Sequence, residues 1–475
     1  MKNLNYLNQE ISILIILSLS FLFICIGIFY SRKFRGINNY LIANRSVGTF
    51  SLTTSFIASA LGTWILFGPA SAATWGGIGA VIGYSLGTAF PLFILIFLGS
   101  KFRKFYPNCI TLIEVIRLKY GRNLYKLILI LSIFYMTIFL IAEVTAVAML
   151  INYISGTSLW ITSLIILSSS LIYTLYGGLR ASIFTDNLQF ILFLILLILS
   201  FSYLITFNKY EFNLNFIYEN KPLLLSAKYL PNFTAGLTFF IAVAATNLFH
   251  QGNWQRVYSA KNDQTLKRSL FFSFLIIIPI VFFMGFCGLV AVSANKNVVP
   301  DLAFFDLLLK DQYISISFVV IVLGISLTIS SIDTLINAII SLVIVDGKKM
   351  LKVSNTLKIS NVVIIILCLI TFYVASKGYS ILYLFLIADL LCCAAVLSVF
   401  YGFYNKTFLE LNAYVSIIIG LVLGILLFPS PDFSKSLLVG ILFPKDFFPE
   451  ILSQSLLFFS FLAATLTPIL TWKLK

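Results

Sequence analysis

Apolar residues along this chain gather in long blocks separated by short polar segments. In order, the blocks predict thirteen spans, near 11–29, 50–74, 78–99, 127–153, 158–176, 185–207, 233–250, 270–294, 313–345, 359–376, 379–404, 411–428 and 451–471. Each is long enough, at ~1.5 Å rise per residue, to cross most or all of a ~30 Å hydrocarbon layer as a helix. The first block is too long for a signal-peptide core and no small-residue cleavage site follows it, so it counts as a span.

Within the blocks, two segments depart from uniform apolarity. In span nine, Ser326, Ser330, Asp333, Thr334, Asn337 and Ser341 recur at three- and four-residue intervals and share one helical face, which is not one to turn toward lipid. Their hydroxyls are hard ligands suited to a small alkali cation, and equally the ordinary glue between membrane helices. In span two, Ser51, Ser55, Ala58 and Gly62 form a face of small residues, followed by Gly68-Pro69, where an interruption is expected. Such a break near mid-membrane points to the binding site of a secondary transporter. Span seven, with Gly236, Thr246 and Asn247, is its expected counterpart in a second half. Spans two to six (50–207) and seven to eleven (233–404) are similar in length, and five spans per half give the halves opposite orientation. An all-α polytopic protein with a five-plus-five inverted repeat follows, with an extra N-terminal helix (11–29) and two C-terminal helices (411–475) in a single transmembrane domain (1–475).

Composition agrees: of 475 residues 60% are hydrophobic and 10% charged, with mean hydropathy +1.03. A soluble, coiled-coil or disordered chain is excluded. The net charge of +15 would fit nucleic acid, but its placement decides otherwise. With the N-terminus outside, 23 of the 32 Lys and Arg, including all nine arginines, fall on the inner loops. That bias is topological, so no nucleic-acid partner is expected and the C-terminus is placed in the cytoplasm.

Catalytic chemistry is missing. No G-x-S-x-G or H-E-x-x-H motif occurs, the lone histidine, His250, borders an inner loop, and none of the six cysteines lies in an outer loop to form a disulfide. The chain is not expected to be an enzyme or to need a cofactor. Four carboxyls do lie within spans: Glu143, Asp186, Asp333 and Asp389. No Lys or Arg of any span is available to pair with them. Each is therefore protonated and bonded to a neighbouring helix, or faces a cation or water.

Several short motifs, in order, resemble the sodium:solute symporter family, which includes the sodium/proline, sodium/pantothenate and sodium/galactose carriers. Leu41-Ile42-Ala43-Asn44-Arg45 is similar to the family's F-L-A-G-R, with Asn44 where Gly is usual. Ser55 to Trp64 (SFIASALGTW) looks like its first core helix, and Gly177-Gly178-Leu179-Arg180-Ala181 with Thr185, Asp186 and Gln189 like its G-G-x-x-A…T-D-x-x-Q signature. Gln255-Arg256-Val257-Tyr258 matches its Q-R-x-x segment, and Ser330-Ser331 sits where its sodium-binding hydroxyls occur.

The resemblance implies a LeuT-like fold and a coupling Na+ between the first and eighth core helices. Its ligands would be the backbone carbonyls of Ala58, Leu61 and Leu327 and the hydroxyls of Ser330 and Ser331. Asp186 matches an aspartate associated with sodium handling near the inner side; a charge placed at the start of span six is the alternative reading. The substrate cavity implied by the fold would present Thr63, Trp64, Glu143, Asn247 and Asp389. Relatives carry Asp or Asn where this chain has Ala60, so a proline or sugar substrate cannot be carried over. The expectation is a sodium-coupled symporter importing a small organic solute, an amino acid, zwitterion or similar metabolite, across the inner (plasma) membrane of a bacterium. Its expected partners are the solute, Na+ and the bilayer, with no obligatory protein. Two carboxyls without a basic partner suit an amine-bearing or zwitterionic solute, or carry protons. A sensor built on the same scaffold is the alternative; since the sequence stops just after span thirteen, it would need a separate signalling partner.

Overall fold

The computed structural model describes residues 6–207, 212–226, 228–295, 297–309, 314–351, 356–405, 407–431, 436, 438 and 455–471. Of the residues assigned above to the inner loops, Lys352, Lys406, Lys473 and Lys475 lie outside that set, as do the first four positions of span thirteen. The helices are α1 (Gln9–Ser31), α2 (Ile37–Ile42), α3 (Thr49–Ala60), α4 (Gly68–Phe105), α5 (Leu112–Lys119), α6 (Arg122–Ser155), α7 (Leu159–Phe207), α8 (Leu214–Asn220) and α9 (Leu230–Phe249). They continue as α10 (Gln251–Ser259), α11 (Asp263–Ala294), α12 (Ala303–Leu308), α13 (Ile314–Leu342), α14 (Lys348–Leu351), α15 (Thr356–Ala375), α16 (Ile381–Tyr401), α17 (Glu410–Leu427) and α18 (Leu456–Thr471).

Ten of these are long and apolar enough to span a membrane. Thirteen crossings result because α7 holds spans five and six in one 49-residue run, α18 supplies span thirteen, and span two is assembled from pieces. The turn in α7 is made at Gly178 (φ 57°), and the corresponding turn in α4, between spans two and three, at Gly77 (φ 58°). Both conformations favour glycine, and at both the neighbouring chain presses in: Tyr40 against Gly178, Asn232 and Leu224 against Gly77.

Two further breaks interrupt helices among the described residues. The first lies at Leu61-Gly62, where α3 ends with Leu61 at ψ 86° and Gly62 extended, followed by a 3₁₀ turn over Thr63–Leu66. Gly68-Pro69, expected to interrupt, instead starts α4, because proline is readily accommodated in a helix's first turn. The second break is at His250 (ψ 111°), between α9 and α10. It falls at the end of span seven, the expected counterpart; Gly236 within that span stays helical and serves packing, since a Cβ on Gly83 of α4 would overlap its carbonyl oxygen. Gly79 and Gly87 meet the backbone of α9 in the same way, and Gly288 of α11 meets Ala70 of α4. Close backbone approach of this kind is the usual device of helices that cannot rely on a hydrophobic driving force in lipid.

Helices α4, α9 and α11 thus pack as one group, while α6, α7 and α13 form a second that faces it. On the arginine-rich face further bonds tie the ends of these elements together. Val47 N–H donates to Ser259 O (3.1 Å), Lys261 N–H to Val47 O (3.0 Å), and Arg103 donates to the carbonyls of Val257 and Ala260 (both 2.9 Å). Thr111 donates to Asp346 (2.7 Å) and Lys349 pairs with Glu114, joining α5 to the C-terminal end of α13 and to α14. On the opposite face Asp301 accepts from Ser71 (2.9 Å) and Ser380 (3.5 Å); burial raises its carboxyl above the ordinary range, with those two hydroxyls opposing the shift.

Replacing Gly83 by Val should force α4 and α9 apart and destabilise the protein by about 1–3 kcal/mol. A thermal melt of the detergent-solubilised protein reads this as a lowered midpoint. Gly48→Ala, where an added Cβ meets nothing within 4 Å, should leave the midpoint in place.

Candidate functional site

A broken helix within a membrane frees backbone groups that must find other partners. At the first break, Thr63 N–H donates to Glu143 Oε2 of α6 (2.9 Å), and Glu143 lies so close to Gly62 that a Cβ there would collide with it. Glu143 thus caps the segment that follows the break. Thr63 turns its hydroxyl onto Thr328 of α13, and Trp64 Nε1 donates to Ala60 O (3.2 Å). At the second break His250 Nδ1 accepts from Gly252 N–H (3.1 Å), Asn253 Nδ2 donates to Asn247 O (2.8 Å) and Trp254 Nε1 to Leu248 O (2.8 Å).

Between the breaks is a cavity of about 40 Å³, lined among others by Ala60, Trp64, Tyr84, Glu143, Asn247, His250, Ser331 and Asp389. That is room for about three waters. Trp64, Glu143, Asn247 and Asp389 therefore share one cavity, whereas Thr63, expected with them, does not line it. Asp389 accepts from Thr246 (2.6 Å), and Trp64 stacks on Tyr84 with ring centroids 5.5 Å apart. No Lys or Arg contributes to the lining.

The Thr63–Thr328 contact sets the break against the stretch of α13 that holds Leu327, Ser330 and Ser331. Ending α3 at Ala60 leaves the carbonyls of Ala58 and Leu61 without a hydrogen-bond donor among the described residues. Ser331 bonds Thr328 O (3.0 Å), while Ser330 donates to Asp186 Oδ1 of α7 (2.6 Å). Asp186 also accepts from Ser55 (2.6 Å) and is ion-paired with Arg256 of α10 (2.8 Å), both side chains being 0% exposed. The guanidinium donates further to Ser55 (2.8 Å), Gly252 O (3.1 Å) and Thr334 (2.9 Å). Asp333, one face over, accepts from Tyr173 (2.6 Å) and Ser182 (2.9 Å).

Arg256 corrects the reading that no basic residue pairs with the buried carboxyls. It was assigned to an inner loop because Gln251–Ser259 (QGNWQRVYS) is short and polar, yet that stretch folds back into the protein as the second half of the broken helix. His250, likewise placed beside a loop, lines the cavity. The sequence signal for both was the Q-R-x-x match, whose arginine had no partner until α7 and α10 were seen together.

A profile of the sodium:solute symporter family matches residues 40–420. The chain belongs to the sodium:solute symporter family. It is accordingly a membrane transporter for a solute, with Na+ as the coupling ion that the family's name states. The spermidine transporter DUR31 of Candida albicans is 27% identical over 430 residues, covering 89% of this chain and 80% of that one. Sodium/glucose cotransporter 4 of Danio rerio is 30% identical over 36% of this chain and 26% of its own length. Among solved structures, a Na+-coupled sialic acid symporter in a substrate-bound outward-open state superposes with a TM-score of 0.69 at 16% identity, covering 97% of each chain. A nucleobase-cation-symport-1 family transporter in a closed conformation reaches 0.55 at 14%, over 91% of this chain and 93% of its own. At those identities the two structures show the shared LeuT-like fold.

Removing one partner of a buried ion pair leaves the other charge uncompensated, at a cost of about 3–5 kcal/mol. Arg256→Met should lower thermal stability by that order, and adding Asp186→Asn to it should restore much of the loss. Melts of the single and double variants against wild type measure the coupling.

Proposed function

We propose that this symporter couples Na+ entry to the uptake of an amine-bearing organic cation, with polyamines the class that fits best. The observation that carries the reading is the pair Glu143 and Asp389 in one cavity that has no lysine or arginine in its lining. A zwitterion would bring a carboxylate with no cation to receive it, so a solute with only positive charge is favoured over an amino acid. The Trp64–Tyr84 stack adds aromatic faces, which attract cations through the ring quadrupole. A relative that covers 89% of this chain is a spermidine transporter, which supports the same class.

For the ion, the reading rests on the carbonyls of Ala58, Leu61 and Leu327 with the hydroxyls of Ser330 and Ser331. A Ser330 hydroxyl that donates to Asp186 keeps its lone pairs for a cation, and Asp186, by polarising that hydroxyl, improves it as a ligand. Na+ bridging α3 and α13 would favour the state that admits the solute, and by linkage the solute would tighten Na+ equally. The first repeat would run over 50–207 and the second over 233–404, flanked by 11–29 and 411–475. The N-terminus lies outside and the arginine-rich face in the cytoplasm of a plasma membrane.

Asp389→Asn is the cleaner test of the solute site, since its side chain bonds only Thr246 whereas Glu143 also caps a helix. Uptake of labelled spermidine into proteoliposomes with an inward Na+ gradient should fall at least about tenfold, ~1.4 kcal/mol. Undiminished uptake in that variant would remove the amine reading. Ser330→Ala with Ser331→Ala should raise the Na+ concentration for half-maximal uptake by at least about tenfold; an unchanged Na+ dependence sinks the ion site.

A further inference from the structure

A second cavity, of about 720 Å³, opens on the arginine-rich face between the end of α1, α2, the kink of α7 and the start of α15. Arg32, Arg35 and Arg180 line it together with Asn39 and Asn361, and no carboxylate does. Among the described residues none of the three arginines has an ion-pair partner. Three like charges held around one space repel one another, and the family's transport chemistry gives them no role.

Arg180 is held ready rather than loose. Its Nη1 donates to Ala43 O (2.9 Å) and Ser46 Oγ (2.5 Å), and its guanidinium carbon sits 4.2 Å from the centroid of the Phe34 ring. Its Nε and Nη2 have no hydrogen-bond partner among the described residues. Arg32 and Arg35 follow directly on α1, and both are exposed. A phosphate is the group that matches several convergent guanidiniums, each offering a planar fork of donors.

Lipid is a better source of that phosphate than solution. The cavity lies where spans end, and the helices beside it, α1 and α15, are the least buried of the ten, with 28% and 22% of their span residues covered. Phe29, Tyr176 and Leu357 are exposed apolar side chains on the elements that form it, α1, α7 and α15. Acyl chains can lie along those flanks while the headgroup enters among the arginines; basic pockets between membrane helices bind anionic headgroups in this manner.

We propose that this cavity binds the phosphate of an anionic phospholipid. The bound headgroup neutralises Arg32, Arg35 and Arg180 and ties α1 and α2 to the kink of α7. Because α2 leads into the 43–47 segment, whose Val47 is bonded to the end of α10, the lipid braces that bonded face.

The test titrates headgroup-labelled phosphatidylglycerol into the purified full-length chain in neutral detergent. Arg32→Gln with Arg35→Gln should weaken binding at least tenfold. Lys104→Gln with Lys261→Gln, which removes the same charge from exposed positions of the same face, should leave it unchanged. Equal weakening in both double variants, or none in the first, overturns the site. Inorganic phosphate that displaces the lipid at comparable concentration assigns the cavity to a soluble anion and overturns the lipid. Size-exclusion profiles confirm that each variant is folded, and the readout does not depend on which solute the protein carries.

Discussion

The requirement that every backbone group in hydrocarbon find a partner governs this structure more than any single contact. A continuous helix meets it alone. A helix broken at mid-span does not, and two such breaks lie among the described residues, so side chains must complete them. Glu143 does this for the first, taking the Thr63 amide. At the second the chain supplies itself, through His250, Asn253 and Trp254. What is left over is informative: after those bonds are made, the carbonyls of Ala58 and Leu61 have no hydrogen-bond donor among the described residues. Polar residues of the site thus do double service, since the carboxylate that completes the backbone also lines the cavity.

The same economy of charge shapes the face next to the arginine-rich end. Asp186 and Arg256 could not be buried separately, and their pairing joins α7 to α10 across the boundary between the two helix groups. Ser55 and Ser330 meet on the one aspartate, which places hydroxyls of α3 and α13 under a common electrostatic control. Asp333, served by Tyr173 and Ser182 and linked through Thr334 to the same guanidinium, makes this a shared network rather than a pair. Any movement that separates the groups must break these bonds together.

Much of the fold was legible in the chain. Hydropathy located the spans because burial and lipid exposure both demand apolar length, and the polar stripe of α13 was readable because helical spacing is regular. The breaks were legible as to existence but displaced in position: Gly68-Pro69 is helix-starting in context, and Gly236 is a packing glycine. Trp64, Glu143, Asn247 and Asp389, grouped by the fold resemblance, line one cavity, while Thr63 bonds a hydroxyl partner on α13. Arg256 was invisible because hydropathy assigns a short polar half-helix to water. Only tertiary contact tells a loop from a segment that returns to the interior.

Helices α4 and α9 touch backbone to backbone along Gly79, Gly83 and Gly87, and α11 meets α4 at Gly288 in the same fashion. Beside those contacts the rings of Trp75, Tyr84 and Phe239 pack between α4 and α9, and Phe93 against Phe274 between α4 and α11. Glycine thus brings the backbones together at some levels while aromatic rings fill the space at others.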